Sequence, residues 1–244
     1  MSVTETQSRI QNAKDLDFGT IFNQSIELFK KVWVQGLVTL LLSMVLAIPI
    51  IMIVYIPLLF MGLTDAFASS YDRYDQYAQP DVSPILLLVM LVMYLFMIIA
   101  MSTISFGLKA AFYRICKLKD LEEMGRDDYF YFFKGPYLGK TIKLALAFTG
   151  ISILAVLLCV IPIIYATVPL SLMIVTYAFN PDMSISDIIK VSFELGNKKW
   201  FIAFGLMFVS GFLAGIVGFI MCFIGVYVTA SLSYLPANFI YKAV

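Results

Sequence analysis

The feature that most restricts what this chain can become is the distribution of its charges. Asp, Glu, Lys and Arg are absent from four long runs, 32–64, 82–108, 144–181 and 200–241, and crowd into the blocks between them. A helix of about 20 apolar residues crosses the ~30 Å hydrocarbon layer of a bilayer. Each run exceeds that length, so the chain is expected to be an all-α integral membrane protein, helices being the way an apolar segment satisfies its own backbone in lipid. Composition agrees. Hydrophobic residues make up 61% and charged residues 14%, against about 25% charged in a soluble domain, too little polar surface to coat a globule.

Run length sets the number of crossings. The run 32–64 holds Pro49 and Pro57 and reads as one long helix bent at a proline. A second span starts at Ser83 and Pro84, a cap followed by proline at the first helical position. The run 144–181 would make about 57 Å of continuous helix, so it must fold back, with Pro162 the natural break; two short spans or a re-entrant hairpin both fit. The run 200–241 needs two crossings by the same arithmetic, turning between Gly211 and Gly225. The expectation is about six transmembrane helices at 32–62, 84–108, 144–161, 163–180, 200–217 and 219–241. They form a single polytopic domain, 17–244, behind a polar tail, 1–16. Segments 109–143 and 182–199 fall on the cytoplasmic side and 63–83 on the other. Eight charged side chains in the first 31 residues argue against a cleavable signal peptide.

Two stretches repeat at a constant offset. IFNQSIELFKKVW (21–33) and IIKVSFELGNKKW (188–200) share Ile21/Ile188, Ser25/Ser192, Glu27/Glu194, Leu28/Leu195, Lys31/Lys198 and Trp33/Trp200, the last pair being the only tryptophans of the chain. Asp17 is placed to cap the first stretch, and Ser184 with Asp187 forms a capping box for the second. Each stretch is amphipathic and runs into an uncharged segment, which predicts an internal repeat of an interfacial helix (17–31 in the first copy) plus a helical hairpin. Lys30, Lys31, Trp33, Lys198, Lys199 and Trp200 are the expected membrane-interface anchors, the lysines drawn to anionic lipid and the indoles to the headgroup level. The aromatic run DDYFYFFKGPYLGK, broken by Gly135 and Pro136, predicts a third interfacial element, and Tyr71, Tyr74 and Tyr77 recur every three residues as phenols at the opposite surface. Gly211 and Gly215 form a G-x-x-x-G which, with Gly218, marks close helix packing.

Orientation follows from counting. With six spans, one side holds both termini and sixteen of the seventeen Lys and Arg, leaving only Arg73 opposite. The positive-inside rule makes that side the cytoplasm, so both termini are expected there.

The chain holds no His, which removes the commonest metal ligand and general base. Cys116, Cys159 and Cys222 read as idle thiols. No catalytic residue, cofactor site or metal site is expected, and the protein is read as not an enzyme. Asp120, Glu122, Glu123, Asp127 and Asp128 lie beside lysines as a solvated face would. No nucleic-acid partner is expected, since acids nearly balance the bases of the aromatic block.

The proline-broken turn at Ile161–Pro169, the run SFELGNKKW at Ser192–Trp200 and the closing Asn238, Phe239, Ile240 and Tyr241 carry a resemblance. In this order of elements the chain resembles a broad, poorly characterised group of bacterial six-helix membrane proteins related to the membrane domain attached to some glycerophosphodiester phosphodiesterases. The resemblance implies topology only. The soluble catalytic domain is absent, and Ile163 stands where the group commonly has glycine.

Function is read from the side chains that remain. No charged residue lies within an expected span, although coupled carriers ordinarily use such groups. The expectation is a non-enzymatic scaffold or accessory subunit of a membrane assembly, whose partners are the bilayer, including anionic lipid, and a membrane protein or a second copy of the chain. The alternative is a transporter or lipid-handling protein for a neutral or amphipathic substrate, its site lined by Ser102, Thr103, Ser105, Thr149, Ser152 and Thr167. Hydroxyls like these commonly bond the carbonyl four residues back instead.

Overall fold

The computed structural model describes residues 3–12, 16–71, 84–123, 125–158, 160–221 and 224–243. In chain order these form α1 (Val3–Asn12), α2 (Phe18–Tyr71), α3 (Pro84–Asp120), α4 (Gly135–Leu157), α5 (Val160–Phe179), α6 (Ile185–Lys198), α7 (Trp200–Ile220), α8 (Ile224–Thr229) and α9 (Leu235–Lys242). Short 3-10 turns occupy Tyr131–Phe133 and Ala230–Ser233, and no strand occurs among the described residues. Among the described residues five helices, α2 to α5 and α7, are long and apolar enough to cross a membrane. Ser83, Arg73, Tyr74, Tyr77, Cys159 and Cys222 lie outside the described residues.

The first expected boundary is not a break. α2 runs for 54 residues, about 80 Å, through Pro49, Pro57 and the start of the expected 63–83 loop. Ile21, Ser25, Leu28, Val32, Gly36 and Thr39 are all buried, so one contact face continues across residues 31 and 32. Asp17 caps the helix, its Oδ2 accepting from the Thr20 N–H at 2.7 Å. α3 likewise continues beyond residue 108 to Asp120. It ends in a Schellman arrangement, with the Glu123 N–H on the Leu118 carbonyl at 3.0 Å and Glu122 at φ 54° where glycine is usual.

The aromatic block does not form a surface helix. Phe132 is fully buried in the 3-10 turn, its ring 4.6 Å from that of Tyr177 in α5, and Phe133 lies against Gly107 so closely that a Cβ there would sit 2.6 Å from Cζ. Gly135 and Pro136 begin α4, with proline in the first turn. The chain turns back at Leu158, and Pro162 falls in the first turn of α5. The last limb, expected as one span over 219–241, is α8, a 3-10 turn and α9.

The N-terminal tail is also a helix. Thr6 and Ile10 of α1 are buried; Gln7 donates to Glu194 of α6 at 3.0 Å, and the Ile10 carbonyl accepts from Lys198 Nζ at 2.7 Å. Ten residues are too few to hold a helix alone in water, so docking on α6 is what forms it.

Burial divides the molecule in two. The core gathers the C-terminal halves of α3 and α5, the start of α4, and α6 and α9, all beside the charged blocks. On the far halves of α2 and α3 large apolar side chains stand open. Only 6% of the most apolar stretch of α3 and 17% of that of α2 is buried by the chain itself, against 61% in α5. In water that exposure is prohibitive; against lipid tails it costs nothing, because helix association there depends on packing and hydrogen bonds.

Candidate functional site

The second copy of the repeat is held by a contact that starts at a proline. Pro169 lies inside α5 and has no N–H to give the carbonyl of Tyr165. That carbonyl accepts from the Trp200 indole N–H at 3.1 Å, and the Tyr165 hydroxyl donates to Asn197 Oδ1. Gly196 lets α6 close on the proline, since a Cβ at Gly196 would lie 2.9 Å from Pro169 Cγ and 3.1 Å from its Cα. Trp200 then stacks on Phe204 at 5.0 Å. The segments Ile161–Pro169 and Ser192–Trp200 thus lie against each other. In the closing segment, Asn238 and Ile240 are buried, and Tyr241 Oη accepts from Asn180 Nδ2 at 2.5 Å.

The lysines expected from the sequence to anchor the chain in a membrane are engaged within it. Lys30 pairs with Glu27 at 2.6 Å and Lys31 with Glu122 at 3.3 Å. Lys198 is taken by the Ile10 carbonyl, and Lys199 is only 8% exposed. Trp33 is 41% exposed, free to meet a membrane, whereas Trp200 is part-buried. The neighbouring acids close similar pairs, Asp127 with Lys119 at 3.5 Å, Asp128 with Lys134 at 2.5 Å and Asp120 with Lys242. Burial, with the Asp127 carboxylate adding to it, pushes the Tyr129 phenol up to about 12.

Of the three packing glycines, Gly218 makes the close contact, a Cβ there falling 2.6 Å from Val226 Cα of α8. Gly211 is in ordinary contact with Ser233, and Gly215 faces open space. The seam of α7 is one residue earlier than the G-x-x-x-G. Ser210, Ala214 and Gly218 are buried at four-residue spacing, and Thr229 Oγ1 donates across it to the Ala214 carbonyl at 2.8 Å.

The six hydroxyls split evenly. Thr103, Ser152 and Thr167 each donate to the carbonyl four residues back, at 2.7, 2.8 and 2.8 Å. Thr149 instead donates from α4 to Ser102 Oγ of α3 at 2.8 Å. Ser102 and Ser105 donate no side-chain hydrogen bond among the described residues. They border a recess of about 270 Å³ between α3, α4 and α5, walled otherwise by Met101, Phe106, Phe148, Ile174 and Lys109. A second recess, of about 210 Å³, lies between α2, α3 and the 3-10 turn at Ala230–Ser233 and is lined by Gly36, Thr39, Ser43, Phe112 and Tyr234 among others. Ser105 and Lys109 border both.

Lys109 is the residue that sequence reasoning missed. Counted as the first charge of the cytoplasmic block, it lies well inside the continuous helix α3, its ammonium 4.9 Å from the Tyr234 ring and with no carboxylate partner among the described residues. The signal was present in the spacing. Residues 102, 105 and 109 stand at i, i+3 and i+7, one face of a helix.

Comparison of the chain with protein-family models, curated proteins and solved structures finds no match in any of the three.

Proposed function

We propose that this protein is a non-enzymatic multi-pass scaffold of the bacterial inner membrane that organises lipid or a larger membrane assembly. The observation that carries the reading is the unequal coverage of its helices. One end is packed and closed by ion pairs within the chain. The α2–α3 pair extends beyond it with nearly all of its most apolar stretches uncovered, a surface presented to the bilayer and whatever resides in it. In this reading the α8–α9 limb is a sixth, broken crossing. Both termini then lie in the cytoplasm with the Lys- and Arg-rich blocks.

The test has two parts. Single cysteines placed in a cysteine-free background should be labelled from outside intact cells at position 73 and spared at 126 and 198; labelling at 198 sinks the topology. Purified protein in proteoliposomes should show no proton- or sodium-driven uptake, and robust gradient-driven flux overturns the scaffold reading. The second reading, a carrier or lipid-handling protein for an amphipathic substrate, is favoured by one observation, the cross-helix pair Ser102–Thr149 opening beside Lys109.

A further inference from the structure

One stripe of α3 changes chemistry along its length. Leu88, Leu91, Leu95, Ile98, Ser102, Ser105 and Lys109 follow one another at alternating three- and four-residue steps, so they share a helix face. The first four are 61, 57, 50 and 41% exposed. The next two are hydroxyls without a committed proton among the described residues, bordering a recess. The last is an ammonium that borders both recesses and, among the described residues, is the only charged side chain on either wall. Apolar, then hydroxyl, then cation is the complement of an acyl chain, an ester-bearing backbone and an anionic headgroup. Leu88 to Ser102 spans about 21 Å, enough to lie along most of an extended acyl chain.

We infer that the α3 stripe from Leu88 to Lys109 binds one phospholipid, its phosphate at Lys109, Ser102 and Ser105 and its acyl chain along the open flank of the helix. An ammonium among aromatic, aliphatic and hydroxyl groups at the edge of hydrocarbon is costly without a counter-charge. The Tyr234 ring at 4.9 Å offsets part of that. Elsewhere the chain supplies acceptors to several of its lysines, carboxylates to Lys31, Lys119 and Lys242 from Glu122, Asp127 and Asp120, and backbone carbonyls to Lys140 and Lys198. Here it supplies hydroxyl donors, which an anion accepts and a second cation cannot use. In the other recess Thr39 and Ser43 are committed to the Gln35 and Thr39 carbonyls at 2.7 and 2.9 Å. The phosphate therefore belongs on the Ser102 side of Lys109.

This inference rests on the lipid-organising arm of the proposed function, and its test separates the two. Full-length protein in detergent is offered phosphatidylglycerol or diacylglycerol, and retained lipid is read by native mass spectrometry, with inorganic phosphate as competitor. Phosphatidylglycerol is expected to be retained about tenfold over diacylglycerol, the size of one charge-assisted contact. Lys109→Gln should abolish that preference, Lys109→Arg should keep it, and Ser102→Ala with Ser105→Ala should lower it about threefold. Circular dichroism of each variant checks that the fold is kept. Equal preference in Lys109→Gln and the parent protein overturns the inference, as does displacement of the lipid by millimolar phosphate, which would make the site one for a free anion. Gradient-driven flux with the Lys109 preference intact would remove the scaffold reading and leave this site standing.

Discussion

The two copies of the repeated stretch bury the same face and then part. Ser25 and Ser192 are both fully buried, and each donates to the carbonyl four residues back, at 2.8 and 2.6 Å. Ile21 matches Ile188, and Leu28 matches Leu195, in burial. After the lysines, however, α2 continues for another forty residues while α6 stops at Lys198 and α7 starts at Trp200. The difference lies in three positions near the end of the stretch. Copy two has Gly196, Asn197 and Lys199 where copy one has Phe29, Lys30 and Val32, and only copy two faces a proline whose neighbour carbonyl is unfilled. Trp200 fills it, and the helix breaks to let the indole arrive. Trp33 has no such acceptor among the described residues and stays in line. A shared motif thus specifies a buried face, and its partner decides whether the helix goes on.

The strongest way to break this contrast is to remove the close approach. Gly196→Val would drive a branched side chain into the Pro169 ring, whose atoms cannot swing aside; we expect a loss of about 3 kcal/mol, at the upper end for overpacking. Thermal unfolding in detergent should show it, and an unchanged midpoint would mean that α6 does not close on α5. Phe29→Val, at the matching place in α2, should cost less, about 1 kcal/mol, because that side chain is only partly buried.

The serines sharpen the comparison at a smaller scale. Ser192 lies 3.2 Å from Thr176 Oγ1 in addition to its helical carbonyl, so Ser192→Ala should lose about 1–2 kcal/mol, and Ser25→Ala, which ends only a bond within its own turn, about 0.5 kcal/mol. Equal losses would show that the contact to α5 adds nothing. Trp200→Phe keeps the stack on Phe204 but orphans the Tyr165 carbonyl, for about 1 kcal/mol; Trp33→Phe should fall within about 0.5 kcal/mol of zero.

The smallest effect concerns the two caps. The Thr20 hydroxyl, and then the Thr20 N–H, hold the Asp17 carboxyl below its usual range. A lowered carboxyl contributes stability above its unfolded pKa and loses it as pH falls through the folded value. Amide exchange at Thr20 should therefore speed up in acid, below about pH 4, and Asp17→Asn should remove that dependence. At α6 the capping group is the Ser184 hydroxyl, accepting from the Asp187 N–H at 3.2 Å, and exchange there tests whether a neutral cap is insensitive. Faster exchange in acid at Asp187 but not at Thr20 would reverse the assignment.

What the sequence determined by itself was whatever depends on neighbours along the chain. The uncharged runs mark the helices long and apolar enough to cross a membrane, because desolvating a charge is costly wherever it falls. Asp17 and Ser184 start their helices because a cap needs only the next three residues. Helical periodicity marks Phe18, Ile21, Phe22, Ile26, Phe29 and Trp33 as one apolar side of the first copy, but of these only Ile21 is buried, and the covered face is Ile21, Ser25, Leu28 and Val32. Tertiary structure decided the rest, each time through residues far apart in sequence. α1 is a helix because Ile10 and Gln7 meet α6, and Phe132 is core because Tyr177 is there to receive it. Where helices close is set by pairs such as Gly36 with Ser231 and Gly218 with Val226. Lys109 belongs to a recess because α4 and the 3-10 turn before α9 bring their walls to it. Periodicity marks an apolar side of a helix, but the covering atoms come from elsewhere in the chain, and only their arrival determines which side is covered and whether a helix ends, bends or leaves a cation in need of a partner.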